Sequence, residues 1–216
     1  MRPITVTVGP LASASANALA LSQTPTAGPV TLNGALASSG VVTMDTPRRV
    51  LITTTGNESA NTFTITGTNW SGIAISETLA GANIGTSQSV LDYATVTSIK
   101  IANNAAAALT IGTSSVASSP WIRMDDWAFP QVAVQCSVSG TVNYTLQQTL
   151  QDPNSPYSPV APALVQWVQS SDPAVVNVSA TAQTSYAYSP AYVRVTLNSG
   201  TGSVTATLTQ FSVVPI

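Results

Sequence analysis

The chain has no histidine, one cysteine, one lysine and only 6% charged residues among its 216. Each scarcity removes a class of chemistry. Without histidine there is no Ser-His-Asp or Cys-His catalysis, and the commonest zinc and iron ligand sets are lost. With Cys136 alone, no internal disulfide can form. Cys136 falls in the series Val132, Val134, Cys136, Val138 on one face of a strand, so it reads as a small buried apolar residue. Six basic and eight acidic residues give a net charge of −2, which leaves no basic footprint for nucleic acid and no polybasic membrane patch. Arg48 and Arg49, the only adjacent basic pair, read as a solvated strand end. No apolar run approaches the roughly 20 residues of a spanning helix, and residues 1–8 alternate like a strand without the apolar block of a signal peptide. A product made in, and released from, a cytoplasm is the expectation.

The remaining catalytic options are thin. A Walker-type phosphate loop would need Lys100, which lies mid-strand. Asp125 and Asp126 are neighbours, so in extended chain they point to opposite faces. Carboxyl pairs could come from distant segments such as Glu58, Glu77 or Asp92, but nothing in the spacing selects one. Asp152 with Asn154 offers too few oxygens for calcium and reads better as the start of a turn. The expectation is a protein without enzymatic activity, cofactor, metal or small-molecule substrate.

What the chain does have is 44% hydrophobic residues distributed in short alternating runs. Ile4, Val6 and Val8 alternate with threonines, as do Phe63 and Ile65, and in residues 96–101 the odd positions Thr97, Ile99 and Ile101 look inward against Val96, Ser98 and Lys100. In the second half, Val142, Tyr144 and Leu146 share a face, and Val193, Val195 and Leu197 face the same way as Val204, Ala206 and Leu208. Ser139-Gly140 and residues 198–202 supply the turns. Short strands with turn signals every ~8–12 residues predict an all-β chain built as two β-sandwich halves in tandem, of jelly-roll or immunoglobulin-like type. The halves are placed at residues 1–118 and 119–216, with a low-complexity arm at 11–28. Val41 to Met44 and Val50 to Thr54 read as separate strands broken at Asp45-Thr46-Pro47.

The densest patch of rings and charge is 120–130, with Trp121, Trp127, Phe129, Arg123 and the two aspartates between prolines. It reads either as the joint between the halves or as the first strand of the second. Residues 152–162 hold four prolines, Pro153, Pro156, Pro159 and Pro162, and predict a long exposed loop that presents a stiff surface. Strand edges usually carry lysine or other guards, and a chain with one lysine is expected to have much of its surface covered by other subunits. The candidate contact residues are Leu11, Leu19 and Leu21 of the arm, Trp121, Trp127 and Phe129, and Pro153, Pro156, Tyr157 and Pro159 of the loop.

Several strings carry a family likeness. Residues 4–9 (Ile-Thr-Val-Thr-Val-Gly), 49–53, 63–68, 75–78 with 81–83, and 94–99 resemble tailed-bacteriophage virion proteins, as do 139–145, 152–156 and 199–205. The resemblance spans nearly the whole chain and contains no catalytic or ligand motif, so no functional residue carries over. It implies a structural protein located in the virion and assembled in the host cytoplasm. The first expectation is a capsid decoration or cement protein whose partners are the major capsid protein and copies of itself. A neck or tail subunit is the alternative. A carbohydrate-binding module, with Tyr157, Tyr186 and Tyr188 as candidate aromatics, is a third.

Overall fold

The computed structural model describes residues 3–124 and 131–210. It is all-β, with two single 3-10 turns at Pro162–Leu164 and Pro173–Val175. The strands in chain order are β1 (Ile4–Val8), β2 (Ala20–Gln23), β3 (Gly28–Pro29), β4 (Ala37–Ser38), β5 (Val41–Asn57) and β6 (Thr62–Thr68). There follow β7 (Ala74–Ala80), β8 (Asn83–Gln88), β9 (Tyr93–Ile101), β10 (Leu109–Ser118), β11 (Ile122–Arg123) and β12 (Val132–Ser139). The last are β13 (Val142–Thr149), β14 (Val168–Gln169), β15 (Ala182–Tyr186), β16 (Tyr192–Gly200) and β17 (Ser203–Gln210). Among the described residues no helix is long and apolar enough to cross a membrane.

The chain divides into two compact units, Met1–Leu11 with Val116–Ile216, and Ala12–Ser115. The division differs from a simple N-terminal and C-terminal half. The opening strand belongs with the end of the chain, because β1 pairs antiparallel with β17 from Ile4↔Leu208 to Val8↔Val204. Residues 12–115 are thus inserted, in sequence, between the first strand of the terminal unit and the rest of it.

In the terminal unit, one antiparallel sheet runs β1-β17-β12-β15. A second set of strands has β16 at its centre, paired with β13, with β11 and with the end of β10. Alternation decides which side chains meet between them. Val132, Val134 and Cys136, Val204, Ala206 and Leu208, Val142, Tyr144 and Leu146, and Val193, Val195 and Leu197 form one buried cluster, joined by Val8, Leu11 and Tyr186. Cys136 has no exposed surface, and burial pushes its thiol up to about 11. At pH 8 roughly one part in a thousand is thiolate, the reactive form. Native protein should therefore leave an aromatic disulfide reagent unreduced at pH 8, with one thiol per chain appearing only on unfolding. Rapid labelling of the native protein would contradict this burial.

In the 12–115 unit, β9 lies between β5 and β6, and β7 pairs on the far side of β6. Phe63 sits opposite Ile101 and Ile65 opposite Ile99, all buried. The two expected strands around Pro47 are one 17-residue strand, β5. The register against β9 shifts between Thr43 and Arg48, which is where a proline without an N–H is tolerated. The first part of β5 pairs with β9 and its later part with β8.

Arg48 corrects the reading of a solvated pair. It is 1% exposed. Its Nε donates to the Ser114 carbonyl at 2.9 Å, one terminal nitrogen donates to Asp45 at 3.1 Å, and the other to the carbonyls of Ala12 at 3.0 Å and Ser114 at 2.5 Å. One guanidinium thus holds together the two places where the chain enters and leaves this unit. The arm is corrected as well. Residues 15–23 run antiparallel to β10, with Ala20 opposite Ile111 and Gln23 opposite Leu109, and Thr113 N–H donates to the Ser15 carbonyl at 2.8 Å. On its other side the Ala18 and Leu19 carbonyls accept from Leu36 and Gly34.

Candidate interaction surface

The proline-rich loop of the terminal unit is built by its own hydrogen bonds. The Asp152 carbonyl accepts from Val160 N–H at 3.4 Å, which brings the ends of the loop together. Asp152 Oδ1 accepts from Asn154 N–H at 2.8 Å, the side-chain turn that aspartate favours. Ser155 Oγ accepts from the N–H groups of Tyr157 and Ser158. Gln151 Oε1 accepts from Gln166 N–H at 2.7 Å and closes the far limb. A compact loop with nearby ends results, the form surface loops take when they carry contacts.

The base of the loop rests on Tyr192 and Trp121. The Tyr192 hydroxyl donates to Asp152 Oδ1 at 3.3 Å and accepts from Asn154 Nδ2 at 2.9 Å. Burial first, with the Asp152 charge adding, holds this hydroxyl above its ordinary value, while the Asn154 bond works the other way; it remains a donor through neutral pH. Arg123 reaches Asp152 at 3.5 Å, but it is half exposed, and such a pair contributes little. Trp121 packs edge-on against Trp167 at 5.1 Å and against Tyr192 at 5.9 Å. Arg194 lies over the Trp167 ring at 4.3 Å and donates from Nε to Gln147 Oε1 at 2.8 Å.

These contacts explain why β16 is buried along both faces. Val193, Val195 and Leu197 enter the core, while Tyr192, Arg194 and Thr196 lie opposite Thr149, Gln147 and Thr145 on the other side and are buried too. Against that ordered base stand side chains that are largely open to solvent. Tyr157 is 95% exposed, Leu150 73%, Leu164 70% and Val168 60%. Val168 lies opposite Gln148 at the end of β13, and Leu150 follows that strand directly. The arrangement presents Tyr157 on a loop whose backbone is already hydrogen-bonded, with Leu150, Leu164 and Val168 on the flanking chain, which lowers the ordering entropy to be lost on contact.

The candidate contact residues fall into three groups. Tyr157, Pro156 and Pro159 are exposed, Pro153 is half-buried, and Trp121 is half-buried in the ring cluster beneath them. Leu11 and Leu19 are buried at 5% and 0%, each within its own unit, and of the arm's three candidates Leu21 alone faces solvent. Trp127 and Phe129 lie outside the described residues. Of the other tyrosines, Tyr186 belongs to the core, and Tyr188 is partly exposed with its hydroxyl accepting from Gln148. Trp167, Tyr192 and Arg194 were not singled out from sequence. The available signal was the polar face of the last hairpin, where Tyr192 and Arg194 alternate with Val193 and Val195.

Among the described residues no group of three or more histidine, cysteine, aspartate or glutamate side chains gathers as a metal site. Comparison with protein-family models, with curated proteins and with solved structures finds no match.

Proposed function

We propose that this chain is a non-enzymatic structural subunit of a tailed-bacteriophage virion, a decoration or cement protein bound to the shell of the major capsid protein. The tandem-sandwich reading of the fold goes with this proposal, one sandwich being the terminal unit and the other the inserted unit. The observation that supports it most directly is the exposed Tyr157 at the tip of a self-bonded loop in a chain with 6% charge. An interface of about 800 Å² per partner is enough for specificity, and a rigid aromatic anchor at its centre commonly dominates the energy. With so few charges the contact would rest on apolar packing and hydrogen bonds, and it should persist as salt rises.

The test is the ratio of this chain to the major capsid protein in purified particles. Decoration requires on the order of hundreds of copies, whereas a neck or tail ring has about a dozen or fewer. Absence from the particle would sink the proposal. Within it, Tyr157→Ala should weaken binding to the shell by about tenfold or more, the effect of losing an aromatic hot spot. Because Tyr157 is 95% exposed in the free chain, its unfolding midpoint should not move. Equal occupancy of variant and wild type on the shell would remove this loop from the contact.

A further inference from the structure

The sheet β1-β17-β12-β15 ends on two strands that pair on one side only among the described residues. Lysines, prolines and bulges are the usual guards of such edges. The β1 edge, Ile4-Thr5-Val6-Thr7-Val8, has none of them. Its register on β17 is unbroken over all five residues, so no bulge turns it aside. Alternate N–H and C=O groups along β1 point away from β17, as in any antiparallel edge. Ile4 is 48% exposed. The opposite edge, β15, lies against the Pro173–Val175 turn, and the Asp172 carboxylate there interacts with Thr184. In the inserted unit the edge strand β7 carries a charge, Glu77.

We propose that the β1 edge is the seam of a homodimer, in which β1 pairs antiparallel with β1 of a second copy about a two-fold axis through Val6. An isologous contact requires a self-complementary strand. The five residues meet that requirement. Val6 falls opposite the partner's Val6, Ile4 opposite the partner's Val8, and Thr5 opposite the partner's Thr7. With the axis normal to the sheet, both faces are preserved. Ile4, Val6 and Val8 remain on the core side, while Thr5 and Thr7 continue the outer threonine face that they already share with Thr207 and Thr205. A slip of one residue would set threonine against valine and is selected against by the same alternation. Pro3, which lacks an N–H, and Gly9, with φ of +84°, end the ladder at five residues. This seam deepens the function proposed above only in naming how copies meet, and it needs no shell.

The experiment is sedimentation of the full chain at tens of micromolar, with charge-swapped variants. Wild type and a T5S/T7S control should sediment as dimers. T5K/T7K and T5E/T7E each set like charges across the seam and should sediment as monomers with an unchanged circular dichroism spectrum, since Thr5 and Thr7 are exposed. Mixing the two variants in equal amounts should restore the dimer, because lysine then faces glutamate. Amide exchange along β1 should also slow as wild-type concentration rises, a readout independent of any substitution. A monomeric wild type, a lysine variant that stays dimeric, or a mixture that stays monomeric would each overturn the seam. The particle count separates the two proposals. A dimer absent from virions refutes the decoration role alone, and an abundant virion protein that is monomeric in solution refutes the seam alone.

Discussion

Arg48→Ala is expected to destabilise the 12–115 unit by about 3–5 kcal/mol, the range for removing one partner of a buried, hydrogen-bonded charge. The guanidinium is 1% exposed and serves three groups from three parts of the chain, namely Asp45 and the carbonyls of Ala12 and Ser114. Alanine leaves the two carbonyls and part of a carboxylate without their donors. Arg48→Lys should recover only part of the loss, since a compact ammonium cannot span the fork that the guanidinium bridges. Urea unfolding followed by amide exchange at Val42, Ile52 and Ile111 would measure it. An Arg48→Ala protein within about 1 kcal/mol of wild type would show that the clamp contributes little.

The same clamp has an acid signature. Burial works to raise the Asp45 carboxyl, but the Ala12 N–H bond and the Arg48 charge outweigh it and hold the group below its ordinary value. A carboxyl lowered on folding stabilises above its unfolded value and loses that contribution as pH falls through its folded value. Wild type should therefore lose stability below about pH 4 in part through Asp45. Arg48→Ala, with the charge partner already gone, should show a shallower acid slope.

Gly112→Ala is expected to be comparably severe, about 3 kcal/mol or more, because the obstacle is backbone. A Cβ at Gly112 would stand 1.9 Å from the Ser15 carbonyl oxygen and 2.5 Å from the Ala16 carbonyl carbon. Making room means moving residues 15–16, which breaks the bond from Thr113 N–H to the Ser15 carbonyl and the bond from Ser15 N–H to Thr113 Oγ1. No rotamer relieves such a clash. Gly40→Ala is the control: its φ is +78° with nothing within 4 Å, so only the left-handed backbone is penalised, by about 1–2 kcal/mol. Thermal melts of the two variants should differ clearly, and equal melts would mean that the 15–18 segment yields easily.

Much of the terminal unit was legible because its strands have one dry face. Alternation in residues 132–138, 142–146, 193–197 and 204–208 names the core side chains that the structure gathers. Strands without a dry face were not legible. β8 has no fully buried residue, and β15 carries only one, Tyr186. Residues 175–180 alternate weakly and form only the end of the Pro173–Val175 3-10 turn and a single bridge from Val178 to Tyr144. The loop at 152–162 was readable from its prolines, but the Tyr192, Trp121 and Asp152 contacts beneath it join residues from separate segments, and no local pattern encodes them.

By itself the sequence determined the all-β class, the burial of Cys136 and the inward face of each regular hairpin, because a period of two is a local property of the chain. Tertiary structure alone decided that the opening strand completes the sheet at the chain's end, and that residues 15–23 lie bonded beside β10, with Ala20–Gln23 as a strand. The alanines and serines there look like an idle leader in one dimension. In three their backbone lies so close to Gly34 and Gly112 that neither position has room for a Cβ, and such close approach depends on partners that the local sequence does not name.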